Sequence, residues 1–385
     1  MKSISNLRDY VVSMLSNMIR INSENPPGRE DEIASYVAER LAELGLKAWI
    51  DRFQGRANAL GSIKIGDGRK IMLISHLDTV PAGEKELWRI PPFSGIVKDG
   101  RVYGRGAADA KGCIASMLGC LKSLADEGWP VNGEIIFAAV ADEESENRGV
   151  RRLIAQGVKA DYAVVGEPTN LNVCIAHKGS IFLRASFIGR AAHSSKPEKG
   201  VNAVYAASEY ALRIEKLSKR FKVKHKLLGK PSLAVTIFRG GVKDNVIPDR
   251  CELIINRRTL PNEDLETIVN RLRDLAEKVS EKRRIKAAVK IDRYLPASET
   301  DRNEEIVKAG LRAVSKVLGK RARPRGFQAL CDMTFLVHKA NIPCIILGPG
   351  RLEEAHVVDE WVGIDQLING SKIYRELIMD LIGSR

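Results

Sequence analysis

Histidine and carboxylate side chains recur in this chain just past short apolar runs. The run Ile71-Met72-Leu73-Ile74 discharges into Ser75-His76-Leu77-Asp78-Thr79. A continuous apolar run bounded by turn residues reads as a buried parallel strand, and open α/β sheets gather their chemistry where such strands end. Two residues apart on an extended backbone, His76 and Asp78 leave the same face. Asp78 can then accept a hydrogen bond from one ring nitrogen while the other faces outward, the arrangement of an imidazole that binds a metal. Taken alone, the pair is weak evidence, since an exposed His near an Asp is usually a solvated loop contact.

The pattern repeats. A strand over residues 134–140 delivers Asp142-Glu143-Glu144-Ser145-Glu146, and a third over 162–165 delivers Gly166-Glu167-Pro168. The acidic run fits a solvated loop or helix start, but carboxylates emerging straight from a buried strand also suit a cation. The segment Gly104-Arg105-Gly106-Ala107-Ala108-Asp109 has the spacing of a dinucleotide loop with a carboxylate where the third glycine should stand. A pyrophosphate would meet that negative charge, so the loop suits a cation better; capping of the following helix is the competing role for Asp109. A last buried strand at 342–347 turns through Gly348-Pro349-Gly350 toward Ala355-His356. Histidine, aspartate and glutamate from separate strand ends, with no thiolate and one carboxylate able to bridge, meet the needs of two divalent cations.

Elements that can position these residues follow from the rest of the chain. Its 385 residues, 44% hydrophobic and 29% charged, predict a globular protein of two domains. No stretch approaches the ~20 apolar residues of a membrane span, and residues 7–21 read as an amphipathic domain helix rather than a signal peptide. The six cysteines show no CxxC pairing and read as reduced packing residues, which predicts a cytoplasmic protein. The formal charge of +14 is concentrated: residues 178–294 hold 27 Lys and Arg against 13 Asp and Glu, while the remainder is balanced at 35 and 35. Such a segment attracts anions. Its predicted elements run strand 181–188, helix 201–217, strands 233–238 and 251–257, helix 262–281 and strand 286–291. That is the ferredoxin-like order, a two-layer α+β domain whose exposed edge could pair between subunits. A helix at 303–318 and a closing helix return to the first texture. The expected domains are therefore 1–177 and 295–385 for the catalytic part, with 178–294 inserted.

As an ordered set, several motifs resemble the acetylornithine deacetylase and succinyl-diaminopimelate desuccinylase family of co-catalytic zinc hydrolases, whose wider clan includes aminoacylases and carboxypeptidases. They are Ser75 through Pro81, Gly104-Arg105-Gly106 through Gly112, Asp142-Glu143-Glu144, Gly166-Glu167-Pro168-Thr169, Gly189 through His193-Ser194, Asn245-Val246-Ile247-Pro248, Arg258-Thr259-Leu260-Pro261, and Gly348-Pro349-Gly350 with Ala355-His356. The resemblance implies a mixed-sheet, zinc-exopeptidase-like α/β catalytic domain with an inserted ferredoxin-like dimerisation or lid domain. It implies one metal held by His76 and Glu167, a second by Glu144 and His356, and Asp109 bridging. Asp78 would orient His76, and Glu143 would be the general base. A non-proline cis peptide would follow Asp109. From the inserted domain His193 and Asn245 would reach the partner subunit's site in a homodimer, and Arg258 would bind a substrate carboxylate. Gly348 and Gly350 are expected to line the substrate. The metals would be two zinc ions, with cobalt or manganese also able to take these ligands.

The resemblance implies a dinuclear amidohydrolase of amino-acid biosynthesis that cleaves an N-acyl group from an amino acid. A di-metal dipeptidase or carboxypeptidase has identical motifs, because only pocket shape separates an acyl chain from an aminoacyl group. The basic middle segment adds a third reading, a deacylase that meets an acidic carrier protein. Direct nucleic-acid recognition is disfavoured, since that segment has no zinc-finger spacing and no RRM-like aromatic motif.

Overall fold

The computed structural model describes residues 6–384. The chain divides into two compact units. One runs to Ala176 and resumes over Glu299–Phe327 and from Cys331 onward; the other comprises His177–Ser298 with Gln328–Leu330.

The larger unit is built on a mixed sheet of nine strands. Its centre is four adjacent parallel strands in the order Gly133–Val140, Lys70–His76, Tyr162–Val165 and Cys344–Ile346. Each is an apolar run flanked by helices, as burial on both faces requires. On one side the sheet continues antiparallel through Arg56–Ile65 to Lys47–Phe53. Because the four central strands point the same way, their carboxyl ends open along one edge. The helix Lys111–Asp126 packs close by with every residue from Lys111 to Leu121 buried, and it starts two residues after Asp109. The helices Leu7–Arg20, Glu305–Leu318 and Ile364–Ile382 present their apolar stripes to the same unit. A small antiparallel sheet, Ile96–Lys98, Arg101–Tyr103 and Trp361–Gly363, was not foreseen, because three-residue strands carry too little periodicity to read.

The smaller unit has an antiparallel sheet in the order Ser232–Gly240, Arg250–Thr259, Gly179–Ile188 and Lys286–Leu295. Two helices, Ala203–Ser218 and Leu265–Arg283, close its core around Leu183, Phe187, Tyr210, Leu253, Leu272 and Val279. This is the α+β order expected from the sequence. The edge strand Ser232–Gly240 carries a bulge between Val235 and Ile237, and leaves Ile237 and Phe238 exposed. All six cysteines are buried and free. Among the described residues no helix is long and apolar enough to cross a membrane.

Candidate metal centre

His76 ends its strand with an imidazole that is 1% exposed. Nδ1 lies 2.8 Å from the backbone carbonyl of Asp78, so that carbonyl, rather than the Asp78 carboxylate, holds the ring. The carboxylate stands 3.8 Å from Nδ1, too far for the bond the sequence suggested. It is engaged elsewhere. Oδ1 accepts from the backbone N–H of Glu143 at 3.0 Å, and Oδ2 accepts from Glu144 N at 3.1 Å and Asn25 Nδ2 at 2.8 Å. Asp78 therefore orients the neighbouring strand's glutamate pair, which adjacency of two parallel strands makes possible and sequence spacing cannot reveal.

His76 Nε2 faces Asp109 Oδ1 at 3.0 Å, while the other carboxylate oxygen, Oδ2, faces His356 Nε2 at 3.2 Å. His356 Nε2 also meets Glu144 Oε1 at 2.9 Å. One carboxylate thus sits between two imidazoles that are 280 positions apart in the chain. Donor atoms of His76, Asp109 and Glu144 all lie within 4.8 Å of one another. Asp109 does not cap the helix that follows: the N-cap is Ala110, and no side chain caps it. Instead the N–H groups of Ala108 and Asp109 donate to Glu360 Oε1, whose other oxygen pairs with buried Arg105 at 2.6 Å. Gly106 makes the turn with φ +85, and a Cβ there would collide with Thr79 and Lys111. The Asp109–Ala110 peptide is cis, as the resemblance implied.

Charge is heavily unbalanced here. Burial would lower the His76 imidazolium, but the bond to Asp109 and the charges of Glu167, Asp109 and Glu143 outweigh it and hold the pKa well above the usual value. His356 is raised to about 10 by its bonds to Asp109 and Glu144. Burial likewise opposes ionisation of Asp109, yet the bonds to His356 and His76 pull its carboxyl down. For Glu143, Glu144 and Glu167 burial wins, helped by neighbouring carboxylates, and all three are pushed up. Two imidazoles face five carboxyl groups, because Asp332 joins the cluster with its pKa raised to about 7 by burial and nearby negative charge. A donor set of nitrogen and oxygen with that surplus of negative charge fits divalent cations.

Glu167 is 5% exposed and follows Tyr162–Val165. Its loop is stitched to the next strand's loop: Thr169 Oγ1 and Leu171 N donate to the Gly348 carbonyl, and Asn170 N donates to the Gly350 carbonyl. The Gly348 and Gly350 N–H groups are spent on Thr169 Oγ1 and Gln366 Oε1. A Cβ at Gly348 would come within 2.7 Å of the Glu167 carbonyl. Both glycines thus hold the Glu167 loop, with their N–H groups already bonded.

In the smaller unit His193 and Asn245 are brought together by backbone bonding: His193 bridges Val246, and Ser194 N donates to Asn245 O at 2.9 Å. Ser195 N donates to His193 Nδ1 at 3.2 Å, which leaves Nε2 as the ring's N–H. His193 and Asn245 are exposed. Arg258 lies on the strand Arg250–Thr259, half-buried, where burial lowers the guanidinium pKa.

Sequence reasoning missed Asp332, Glu360, Asn25 and Arg56. Asn25 Nδ2 joins Asp78 to Asp142 Oδ1, and Arg56 pairs with Glu30 at 2.7 Å and Asp142 at 3.0 Å, all of them buried. Asp142 is therefore no solvated loop residue. No local spacing links these positions; only the folded chain does.

Imidazoles and carboxylates converging beside the carboxyl ends of parallel strands make a candidate metal centre. The profile of peptidase family M20/M25/M40 matches residues 72–380. Acetylornithine deacetylase of Proteus mirabilis (strain HI4320) is 30% identical over 86% of this chain and 85% of its own length. A probable succinyl-diaminopimelate desuccinylase of Staphylococcus aureus (strain MSSA476) is 27% identical over 95% and 96%. In structure, a tripeptidase from Staphylococcus aureus superposes with a TM-score of 0.82 at 24% identity, over 96% of this chain and 97% of that one. A dinuclear metal-binding peptidase from Bacillus subtilis gives 0.76 at 19%, over 97% and 98%. The chain belongs to peptidase family M20/M25/M40, and it is a metal-dependent amidohydrolase acting on linear amides. The family resemblance carried by the motifs is borne out.

Proposed function

We propose that this protein removes an N-acyl group from an amino acid, of the acetylornithine or succinyl-diaminopimelate type, in amino-acid biosynthesis. His76 and Glu167 would hold one divalent ion and Glu144 and His356 the other, with Asp109 between them; zinc is the metal we favour. Bound there, two divalent ions would supply Lewis-acid chemistry to a scissile carbonyl and a water. Glu143 would accept a proton from the attacking water on its carboxylate and return it to the amine as the C–N bond breaks.

One observation carries this division of labour. Of the adjacent glutamates, Glu144 meets His356, whereas the Glu143 carboxylate makes no hydrogen bond among the described residues. A base must keep its lone pairs free of a metal, and the unbonded Glu143 carboxylate is the one of this pair that we assign to that task. Asp78 fixes both backbones, so the two side chains keep separate tasks. His193 and Asn245, with an imidazole N–H directed outward, would polarise the carbonyl of a substrate in the partner's site. Arg258 would take the substrate carboxylate. The dimer would form through the smaller unit, and buried free cysteines suit a cytoplasmic setting.

The test is turnover and metal content of Glu143→Gln together with a panel of N-acetyl, N-succinyl and dipeptide substrates. We expect two ions per chain retained and kcat reduced by about 10²–10⁴, with acyl-amino acids preferred to dipeptides. Full turnover in the variant overturns the base; preference for dipeptides moves the protein to the peptidases of its family.

A further inference from the structure

A second cluster of charge lies away from the carboxylates, in a cavity of about 370 Å³ within the larger unit. The helix Glu305–Leu318 ends at Gly319, φ +64, and the chain crosses to the strand Arg325–Phe327. Along this crossing Arg321, Arg323 and Arg325 alternate with the less exposed Ala322 and Pro324. All three arginines line the cavity, and Pro324 disfavours a helical conformation at Arg323. Lys320 lines the same cavity. The crossing is tied down: Ala322 N donates to Ser315 Oγ at 3.0 Å, and Arg325 N donates to Val173 O at 2.9 Å.

The opposite wall is Asn170 through Val173, the continuation of the loop that carries Glu167. Asn170 and Leu171 both take left-handed φ, +53 and +57, unusual for leucine. Asn172 Nδ2 donates to Thr169 O at 2.8 Å, and Asn170 Oδ1 accepts from Gln366 Nε2 at 2.6 Å. Neither wall supplies a carboxylate. Among the described residues none of the four cationic side chains is ion-paired or hydrogen-bonded, although elsewhere in this unit arginines such as Arg105, Arg152 and Arg312 find acidic partners.

We propose that this cavity binds a small molecule carrying two or more phosphate groups. Four uncompensated cations exceed what one carboxylate neutralises, and the volume exceeds one anion. Arginine forks take phosphate oxygens in pairs, and Asn172 and Lys320 add point contacts at the rim. The cavity is bounded by both tied walls, which favours a compact anion over a polymer.

The test is calorimetric titration of the metal-loaded enzyme with fructose 1,6-bisphosphate, a probe that chelates metal less tightly than pyrophosphate. We expect one saturable site per chain, at least tenfold weaker in Arg321→Gln/Arg323→Gln and in Arg323→Glu alone, and unchanged in Lys230→Gln. All four side chains are exposed, so melting temperatures should match. Absence of saturable binding, equal affinity in the arginine variants, or citrate binding as tightly as the bisphosphate overturns the proposal.

Discussion

In the larger unit Asp78, Asp142, Arg56 and Glu360 are buried, and each spends its polar atoms on two or more partners. In the smaller unit His193 and Asn245 are exposed, placed by backbone bonds and one serine. The contrast teaches where geometry is enforced. A buried carboxylate with an unmade bond carries the full desolvation cost, so the folded state admits few arrangements of the larger unit's cluster. An exposed imidazole exchanges protein for water at little cost, and its position is set only by the turn beneath it.

Substitutions can break that comparison. His193→Ala should lower kcat by about 10²–10³ if the ring polarises the carbonyl, while stability stays within about 0.5 kcal/mol; steady-state kinetics and chemical denaturation read the two effects separately. Asp78→Ala should lower activity by about 10–100-fold and also destabilise, because it removes one of the Asn25 amide's two acceptors and the partners of the Glu143 and Glu144 N–H groups. An Asp78 variant with unchanged stability would remove the distinction between the units.

The excess of 27 basic over 13 acidic residues in 178–294 offers a gentler test. If that surface steers acidic substrates, kcat/KM for an N-succinyl dianion should fall about threefold between 0.05 and 0.5 M salt. A neutral N-acetyl substrate should change less.

The smallest effect concerns acid stability. Glu209 is paired with Arg213, Lys282 and Arg283, whose hydrogen bonds lower its pKa to about 2 from 4.5. The folded value lies below the unfolded one, so its stabilisation is present above about 4.5 and is lost as pH falls toward 2. Glu209→Gln should flatten the wild-type decline in melting temperature over that window.

The local sequence determined a good deal. Apolar runs ending in His76, Glu143-Glu144 and Glu167 revealed the parallel strands, since a strand buried on both faces has no polar alternation to confuse with helix. The β-α-β-β-α-β order of the smaller unit was equally legible, as was the Gly-x-Gly-x-x-Asp turn that rejects a pyrophosphate. Tertiary structure alone decided that the Asp78 carboxylate clamps Glu143 and Glu144 while its carbonyl holds His76, and that Glu360 anchors the Asp109 turn from 251 positions away. It also brought Asp332 beside the glutamates and gathered Arg321, Arg323 and Arg325 along one cavity. Periodicity along a chain reports which face is buried; it carries no information on which buried polar atom meets which, because those partners are chosen by strand adjacency and by the cost of leaving any of them without a bond.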